Sequence, residues 1–424
     1  MEKKLLTYTL MNKNTPVLDF DYDSDAGHIV KVRDLHSLEH APFLLSSHNK
    51  AHSAALLTSR LNEWWSNRVV SASRPHLRLT LGSFYSGIEV SGGQGQTLKR
   101  LIMQLAEINH GLSLSDHYWF NPLDSSARLE WKDINYFTNP FSSAAGDAFF
   151  AEQISEQLLP KEQNPNATLT GYMNKAWRFA DGKILLYKAS NELRQLYNEL
   201  AACSLYSRLL SPSEYVDYWI AGDESKRYVV CENMLDENHE LIPASHVMQH
   251  FNLQEQSKYI ESYHSYLISC EKLGIRDIRR RLDAQIVCDH ILANSDRHWQ
   301  NFGLVRNVHS LSDFKIAPTF DTGNSLYYDT NLGIVAKGQA QYNTSRPFSF
   351  DPQVQLSLVS DLSWLDSANL EGFLDEIKSA LLPAYDRFED ALEIVVQDID
   401  KRIDEVKYLQ AQLMPVTGRG LESI

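Results

Sequence analysis

The chain has 424 residues and a mass of 48.5 kDa, with 43% hydrophobic and 22% charged residues, which excludes disorder as its main state. The 40 Lys and Arg against 54 Asp and Glu leave a formal charge of −14. Such a surface repels phosphodiester backbones and anionic lipid, so neither direct nucleic-acid binding nor a membrane partner is expected.

No apolar run approaches the roughly 20 residues that span a bilayer. The four cysteines (Cys203, Cys231, Cys270, Cys288) form no CxxC pair, which argues against a disulfide framework or a zinc site. The start, Met1-Glu2-Lys3-Lys4-Leu5-Leu6, carries no signal-peptide core, so a cytoplasmic protein is expected.

In chain order, residues 1–130 mix short apolar runs with polar turns and form an N-terminal segment to which the sequence assigns no role. Within it, Leu98, Leu101, Ile102, Leu105 and Ile108 have helical spacing. Gly92-Gly93-Gln94-Gly95 lacks the Lys-Ser/Thr pair of a phosphate-binding P-loop and reads as a plain loop. Residues 131–234 sharpen into strands. Trp177–Ala180, a turn at Asp181-Gly182, and Lys183–Lys188 read as a β-hairpin. Asn191–Leu210 reads as a helix capped by Asn191, with Leu193, Leu196, Tyr197, Leu200 and Cys203 as its apolar stripe. Two more strands, Tyr215–Ile220 and Arg227–Glu232, flank the turn Gly222–Ser225. Residues 235–424 are mainly helical, with Arg279–Asn294 the clearest helix and Pro383 marking a helix start in the charged tail. The fold class is α+β.

One irregular island interrupts the helical half. Asn294-Ser295-Asp296-Arg297-His298-Trp299-Gln300-Asn301-Phe302-Gly303 leads into a β-hairpin, whose second strand ends in Pro318-Thr319-Phe320-Asp321-Thr322-Gly323. Phosphoryl transfer from a nucleotide needs such a set, because its catalysis is positioning plus neutralisation of phosphate charge. One carboxylate orients the attacking hydroxyl, and an amide oxygen and a second carboxylate hold Mg²⁺, which prefers hard oxygen ligands. Asp296 and Asn301 stand five positions apart, the separation of the catalytic Asp and metal-binding Asn in protein-kinase catalytic loops. Each residue alone is ordinary turn chemistry; the joint pattern is what points to a site. His298 reads as a buried ring that pins the loop. A competing set, Asp289, His290, His298 and Asp321 around a metal, would make a metal-dependent phosphohydrolase.

The strand-rich half offers the remaining parts. Lys188 ends an apolar strand and projects from a sheet face. Glu199, with Glu192 as its rival, stands on the next helix within reach of a lysine pair of the kinase type. Thr168-Leu169-Thr170-Gly171-Tyr172-Met173-Asn174-Lys175 precedes the hairpin as a candidate phosphate loop. Glu232-Asn233-Met234 closes the last strand, where backbone groups would meet an adenine edge. A module that binds nucleotide without transferring phosphate is the alternative from another class.

These residues resemble the HipA-like serine/threonine kinases of bacteria. That family's catalytic loop, Asp-x-His-x-x-Asn-Phe, stands here as Asp296 to Phe302, and its magnesium loop, Pro-x-Phe/Tyr-Asp, as Pro318 to Asp321. The resemblance covers roughly residues 165–330, with a weaker likeness onward to Arg346-Pro347-Phe348-Ser349. It implies a two-lobed kinase-like fold with a β-rich N-lobe and a helical C-lobe. It also implies ATP and Mg²⁺ as cofactors, with Asp296 as the base and Asn301 and Asp321 on the metal. Thr170, Gly171, Lys175, Lys188 and Glu199 would lie around the phosphates, and Glu232 and Met234 at the adenine. It further implies a protein substrate phosphorylated on Ser or Thr and, as in family toxins, an antitoxin partner. Some family members silence themselves by phosphorylating a serine in the phosphate loop. Here the corresponding positions, Thr168 and Thr170, are threonines.

Overall fold

Alternating apolar and polar residues build the first sheet. The computed structural model describes residues 5–46, 53–70, 95–124, 129–148, 164–251, 259–342 and 344–414, with Arg74, Leu77, Leu81, Phe150 and Leu253. The string Gly92-Gly93-Gln94 lies outside the described residues, and Gly95 opens a helix. Packing groups the chain into two compact units. One comprises residues 1–190, 219–254 and 304–315; the other comprises 191–218, 255–303 and 316–424. Where the sequence suggested cuts near residues 130 and 234, the units instead interleave along the chain.

In the first unit, β1 (Leu5–Asn12), β2 (Thr15–Asp23), β3 (His28–Leu35) and β4 (Tyr118–Pro122) form an antiparallel sheet in the order β3-β2-β1-β4. Leu18, Phe20 and Tyr22 of β2 are wholly buried in the same core as Trp65 of helix α1 (Ala54–Arg68) and Ile102 of helix α2 (Gly95–Ile108). The intervening Asp19 and Asp21 are satisfied across the strands: Thr9 Oγ1 donates to Asp19 at 2.6 Å, and Arg33 pairs with Asp21 at 2.7 Å.

The second sheet has β5 (Asn174–Ala180), β6 (Lys183–Ala189), β7 (Trp219–Gly222) and β8 (Arg227–Glu232) in the order β5-β6-β8-β7. The hairpin expected at Asp181-Gly182 is present. Both turn residues have positive φ, +50° and +75°, the backbone that matches strand twist. The strand expected at Tyr215–Ile220 instead begins at Trp219, because Pro212–Glu214 coils into a 3₁₀ turn and Tyr215 bridges Thr319. Strands β9 (His239–Pro243), β10 (Gly303–Asn307) and β11 (Phe314–Ile316) complete a third sheet in the order β11-β10-β9.

The second unit is helical: α3 (Leu193–Leu209), α4 (Tyr259–Lys272), α5 (Ile278–Ile291), α6 (Phe373–Leu381) and α7 (Glu389–Leu413). The cap expected from Asn191 is not formed. Glu192 occupies that position with no side-chain cap bond, and Leu193, expected in the buried stripe, is exposed. Pro383 lies in a 3₁₀ turn, Leu382–Ala384, after α6, so the long helix starts later than the proline suggested. Helix α7 buries Leu392, Val395, Ile399, Ile403 and Val406 at helical spacing. Among the described residues, no helix is long and apolar enough to cross a membrane.

Helix α7 is tied to α5 by one carboxylate. Glu405 Oε2 meets His290 Nε2 at 2.8 Å and accepts from Gln353 Nε2 at 2.9 Å. The His290 hydrogen bond, first among several causes, pulls the Glu405 carboxyl from 4.5 down to about 2. A carboxylate depressed by folding stabilises the native state fully above its unfolded value, and that stability disappears as pH falls through the folded value. Glu405→Gln should therefore lower the thermal midpoint at pH 6 and flatten its fall between about pH 4.5 and 2. Calorimetry across that window checks it, and an unchanged acid limb would count against the tie.

Candidate active site

Helix α5 delivers the island by stopping abruptly. Ala293 takes the left-handed backbone, φ +49°, at the position where glycine is usual. The Asn294 N–H then reaches back to the Asp289 carbonyl at 2.8 Å, and the Ala293 N–H to the His290 carbonyl at 3.1 Å. The Asn294 side chain repeats the tie. Its Nδ2 donates to Asp289 Oδ1 at 2.8 Å, and its Oδ1 accepts from the Asp296 N–H at 3.0 Å.

Arg297 is the centre of the arrangement and is wholly buried. Its Nε and Nη2 each donate to the Asp289 carboxylate at 3.0 Å. Its Nη1 donates to the Asn301 carbonyl at 2.9 Å and also to the Phe320 carbonyl. A second Nη2 bond reaches Thr322 Oγ1 at 3.0 Å. All the donors of the guanidinium are thereby used. Burial alone would weaken its charge, but Asp289 outweighs burial and holds the guanidinium above its usual range. The segments that carry Asn301 and Asp321 thus meet on a single nitrogen atom.

Around this clamp the expected residues take definite places. Asp296 has a half-buried side chain; its Oδ2 accepts from Asn324 Nδ2 at 2.8 Å, and its Oδ1 faces Arg346 Nη1 at 3.3 Å. Asn301 donates its Nδ2 to the Asp296 carbonyl at 3.0 Å, which turns its amide oxygen to the opposite side as an acceptor. Asp321 is half-buried with φ +58°, a backbone that non-glycine residues adopt rarely and that Asp tolerates better than most.

The loop after Asp321 rests on the first turns of α3. Glu199 Oε2 accepts from the Thr322 N–H at 2.9 Å, Asn198 Nδ2 donates to the Gly323 and Ser325 carbonyls at 3.1 and 2.6 Å, and Arg194 Nη1 donates to the Tyr327 carbonyl at 2.9 Å. A Cβ at Gly323 would lie 2.6 Å from the Gln195 carbonyl oxygen, so only glycine allows this approach. Glu199 therefore has a partner on the Asp321 loop.

The competing metal set is not assembled. Asp289 is engaged by Arg297 and Asn294, His290 by Glu405, and His298 Nδ1 accepts from the Gln300 N–H at 3.2 Å. Among the described residues, no group of three or more His, Cys, Asp or Glu side chains is disposed to hold a metal ion. His298 is half-buried rather than buried as expected, because it lies at the turn of the loop. The donors Asn301 and Asp321 offer hard oxygen, the chemistry Mg²⁺ takes.

The remaining expected residues belong to the strand-rich unit. Thr170 and Gly171 are exposed, while Thr168 is buried with its hydroxyl donating to the Leu112 carbonyl at 2.7 Å. Buried Arg74 holds this loop from beneath. Its Nε and Nη2 reach the Gly171 carbonyl at 3.1 and 3.0 Å, and burial lowers its guanidinium to about 9. Gly171 has φ +102°, and a Cβ there would sit 2.5 Å from Lys175 Nζ, so the lysine lies against the loop backbone. Lys175 and Lys188 are directly opposite across β5 and β6, and residues so paired share one face of the sheet. Glu232 pairs with Lys183 at the exposed sheet margin. Met234 is half-buried, and between them the Asn233 N–H is used by the Ile184 carbonyl at 2.9 Å.

Sequence reasoning missed Arg297, Asn294, Asn324 and, on α3, Arg194, Gln195 and Asn198. Arg297 lies inside the quoted motif, yet nothing in Asp-Arg-His shows that its guanidinium is buried. Asn198 reads as a surface residue until a loop is known to cover it, and Glu199, expected beside Lys188, bonds that same loop.

No family model matches the chain, and no curated protein matches it. Solved structures do match. The Helicobacter pylori proinflammatory kinase CtkA aligns with 57% of this chain and 95% of its own at 17% identity, with a TM-score of 0.42. CtTel1 in its open conformation aligns with 90% of this chain at 12% identity and a TM-score of 0.28, and this chain spans only 18% of its length. Superpositions this loose carry no argument about chemistry here.

Two substitutions test the clamp. Arg297→Lys cannot satisfy Asp289 and the two loops together, and should cost about 3–5 kcal/mol in urea unfolding, the usual loss when a buried ion pair is broken. Ala293→Gly relieves the left-handed backbone and should raise stability by about 1 kcal/mol. A destabilised glycine variant would show that Ala293 is not strained.

Proposed function

We propose that the protein is an ATP- and Mg²⁺-dependent kinase that transfers the γ-phosphoryl group to a Ser or Thr hydroxyl of a protein, with a two-lobed HipA-like organisation. The observation that carries the reading is the clamp. The Asn301 and Phe320 carbonyls accept from the same Arg297 nitrogen, which supports a shared site for Asn301 and Asp321.

In this reading Asp296 accepts the proton of the acceptor hydroxyl. Its carboxylate is held in place by Asn324, and the half-exposed side chain leaves room for an acceptor to approach. Asn301 and Asp321 hold Mg²⁺, which neutralises phosphate charge when bound. Glu199 acts as a positioning residue through the Thr322 N–H. Thr170, Gly171 and Lys175 with Lys188 serve the phosphates, because two lysines on one sheet face favour a polyanion between them. Glu232 to Met234 would meet the adenine. An antitoxin partner and a cytoplasmic location belong to the same proposal. Thr168 spends its hydroxyl internally, so Thr170 is the position at which self-phosphorylation would occur.

The test uses γ-labelled ATP with a bacterial lysate. Asp296→Ala should lower incorporation by about 10²–10⁴-fold, the usual range for a lost general base, while ATP still raises the thermal midpoint. Asp321→Asn should weaken the dependence on Mg²⁺. Full activity in Asp296→Ala removes the base from its role. Thermal stabilisation by ATP with no transfer by the wild type would favour the nucleotide-binding module instead.

A further inference from the structure

The segment Ser345–Phe350 is built into the same loop as Asp296. The Ser345 N–H closes onto the Phe350 carbonyl at 2.9 Å, and Ser345 Oγ donates to the Ser349 carbonyl at 3.0 Å. Phe348 is wholly buried, with its N–H on Gln355 Oε1 at 3.0 Å. Its ring meets Trp299 at 5.5 Å and Phe302 at 6.1 Å, both from the Asp296–Phe302 stretch. A few residues upstream, Tyr342 donates its hydroxyl to the Asn294 carbonyl at 3.2 Å. The turn is therefore anchored on both sides of Arg346.

Arg346 itself is left at the surface. Its side chain is 45% exposed and touches Asp296 through one contact, 3.3 Å from Nη1 to Oδ1. Asp296 is its only carboxylate partner among the described residues. The two Asp296 oxygens are thus treated differently. Oδ2 has a shorter bond from Asn324, which is itself tied to Gln195. Oδ1 has a longer, single, solvent-facing contact, which exposed ion pairs give up at little cost.

We propose that Arg346 is a further catalytic residue, which leaves Asp296 Oδ1 as the acceptor hydroxyl arrives and binds the phosphoryl oxygens in transfer. This rests on the kinase reading above. In the step, the acceptor oxygen bonds to the γ-phosphorus while the bond from that phosphorus to the β,γ-bridging oxygen breaks. The hydroxyl proton passes to Asp296, and ADP leaves with the bridging electron pair. Negative charge spreads over the three equatorial oxygens of the group in flight, and a planar guanidinium with several donors suits that geometry. The cation that screens Asp296 at rest thereby becomes the one that stabilises charge beside it during transfer.

Magnesium-dependent incorporation from γ-labelled ATP into lysate proteins is measured for wild type, Arg346→Ala, Arg346→Lys and Asp296→Ala. Arg346→Ala should lose about 10²-fold in rate, as when one oxyanion donor is removed, with the ATP concentration for half-maximal rate changed less than about twofold. Arg346→Lys should recover part of the loss, and millimolar guanidinium ion should restore activity to Arg346→Ala, which a merely structural role would not allow. Arg346→Gln, with thermal midpoints for all variants, guards against misfolding of the alanine variant. Arg346→Ala within threefold of wild type, or no rescue by guanidinium with a normal thermal midpoint, overturns the proposal and leaves the kinase reading intact. Wild type as silent as Asp296→Ala overturns both.

Discussion

A wholly buried guanidinium bound to a wholly buried carboxylate is costly, because both charges lose water and only near-complete hydrogen bonding offsets the loss. Arg297 and Asp289 meet that condition, and the donors left over after the carboxylate is satisfied must find acceptors nearby. The Asn301 and Phe320 carbonyls and the Thr322 hydroxyl supply them. Two loops separated in sequence are thus held by the same requirement that makes the ion pair tolerable. The chemistry proposed for Asp296, Asn301 and Asp321 depends on that packing constraint more than on any property of the three side chains.

Much of the fold could be read from local signals. The hairpin β5–β6 announced itself because Asp181-Gly182 is a turn that strand twist favours, and β8 was delimited residue for residue. Helix α5 was visible in its spacing, but its end was not, since an alanine in the left-handed region gives no composition cue. The strands β1 to β3 were hidden for another reason. Asp19 and Asp21 alternate with the buried Leu18, Phe20 and Tyr22, and what holds these carboxylates at the sheet is pairing with Thr9 and Arg33 on neighbouring strands, which no local signal shows.

The candidate site divided along the same line. Asp296, Asn301 and Asp321 could be proposed from the sequence because phosphoryl transfer needs those types at those spacings. The residues that hold them were not, because Arg297, Asn198 and Asn324 acquire meaning only through partners on distant segments. Helix α3 is the clearest case. Of its expected apolar stripe Leu196 and Tyr197 are buried while Leu193 is exposed, and the polar Arg194, Asn198 and Glu199 beside them are buried as well, beneath the Thr322–Tyr327 loop.

The missing carbon at Gly323 has a mechanical meaning. With main chain resting directly on main chain, nothing compressible separates the loop from the first turns of α3, and four neighbouring side chains rivet the two together. The loop and that end of the helix then behave as one solid piece. A tilt of α3 would therefore carry the Asp321 segment with it, so the helix is a lever arm whose short end is that loop.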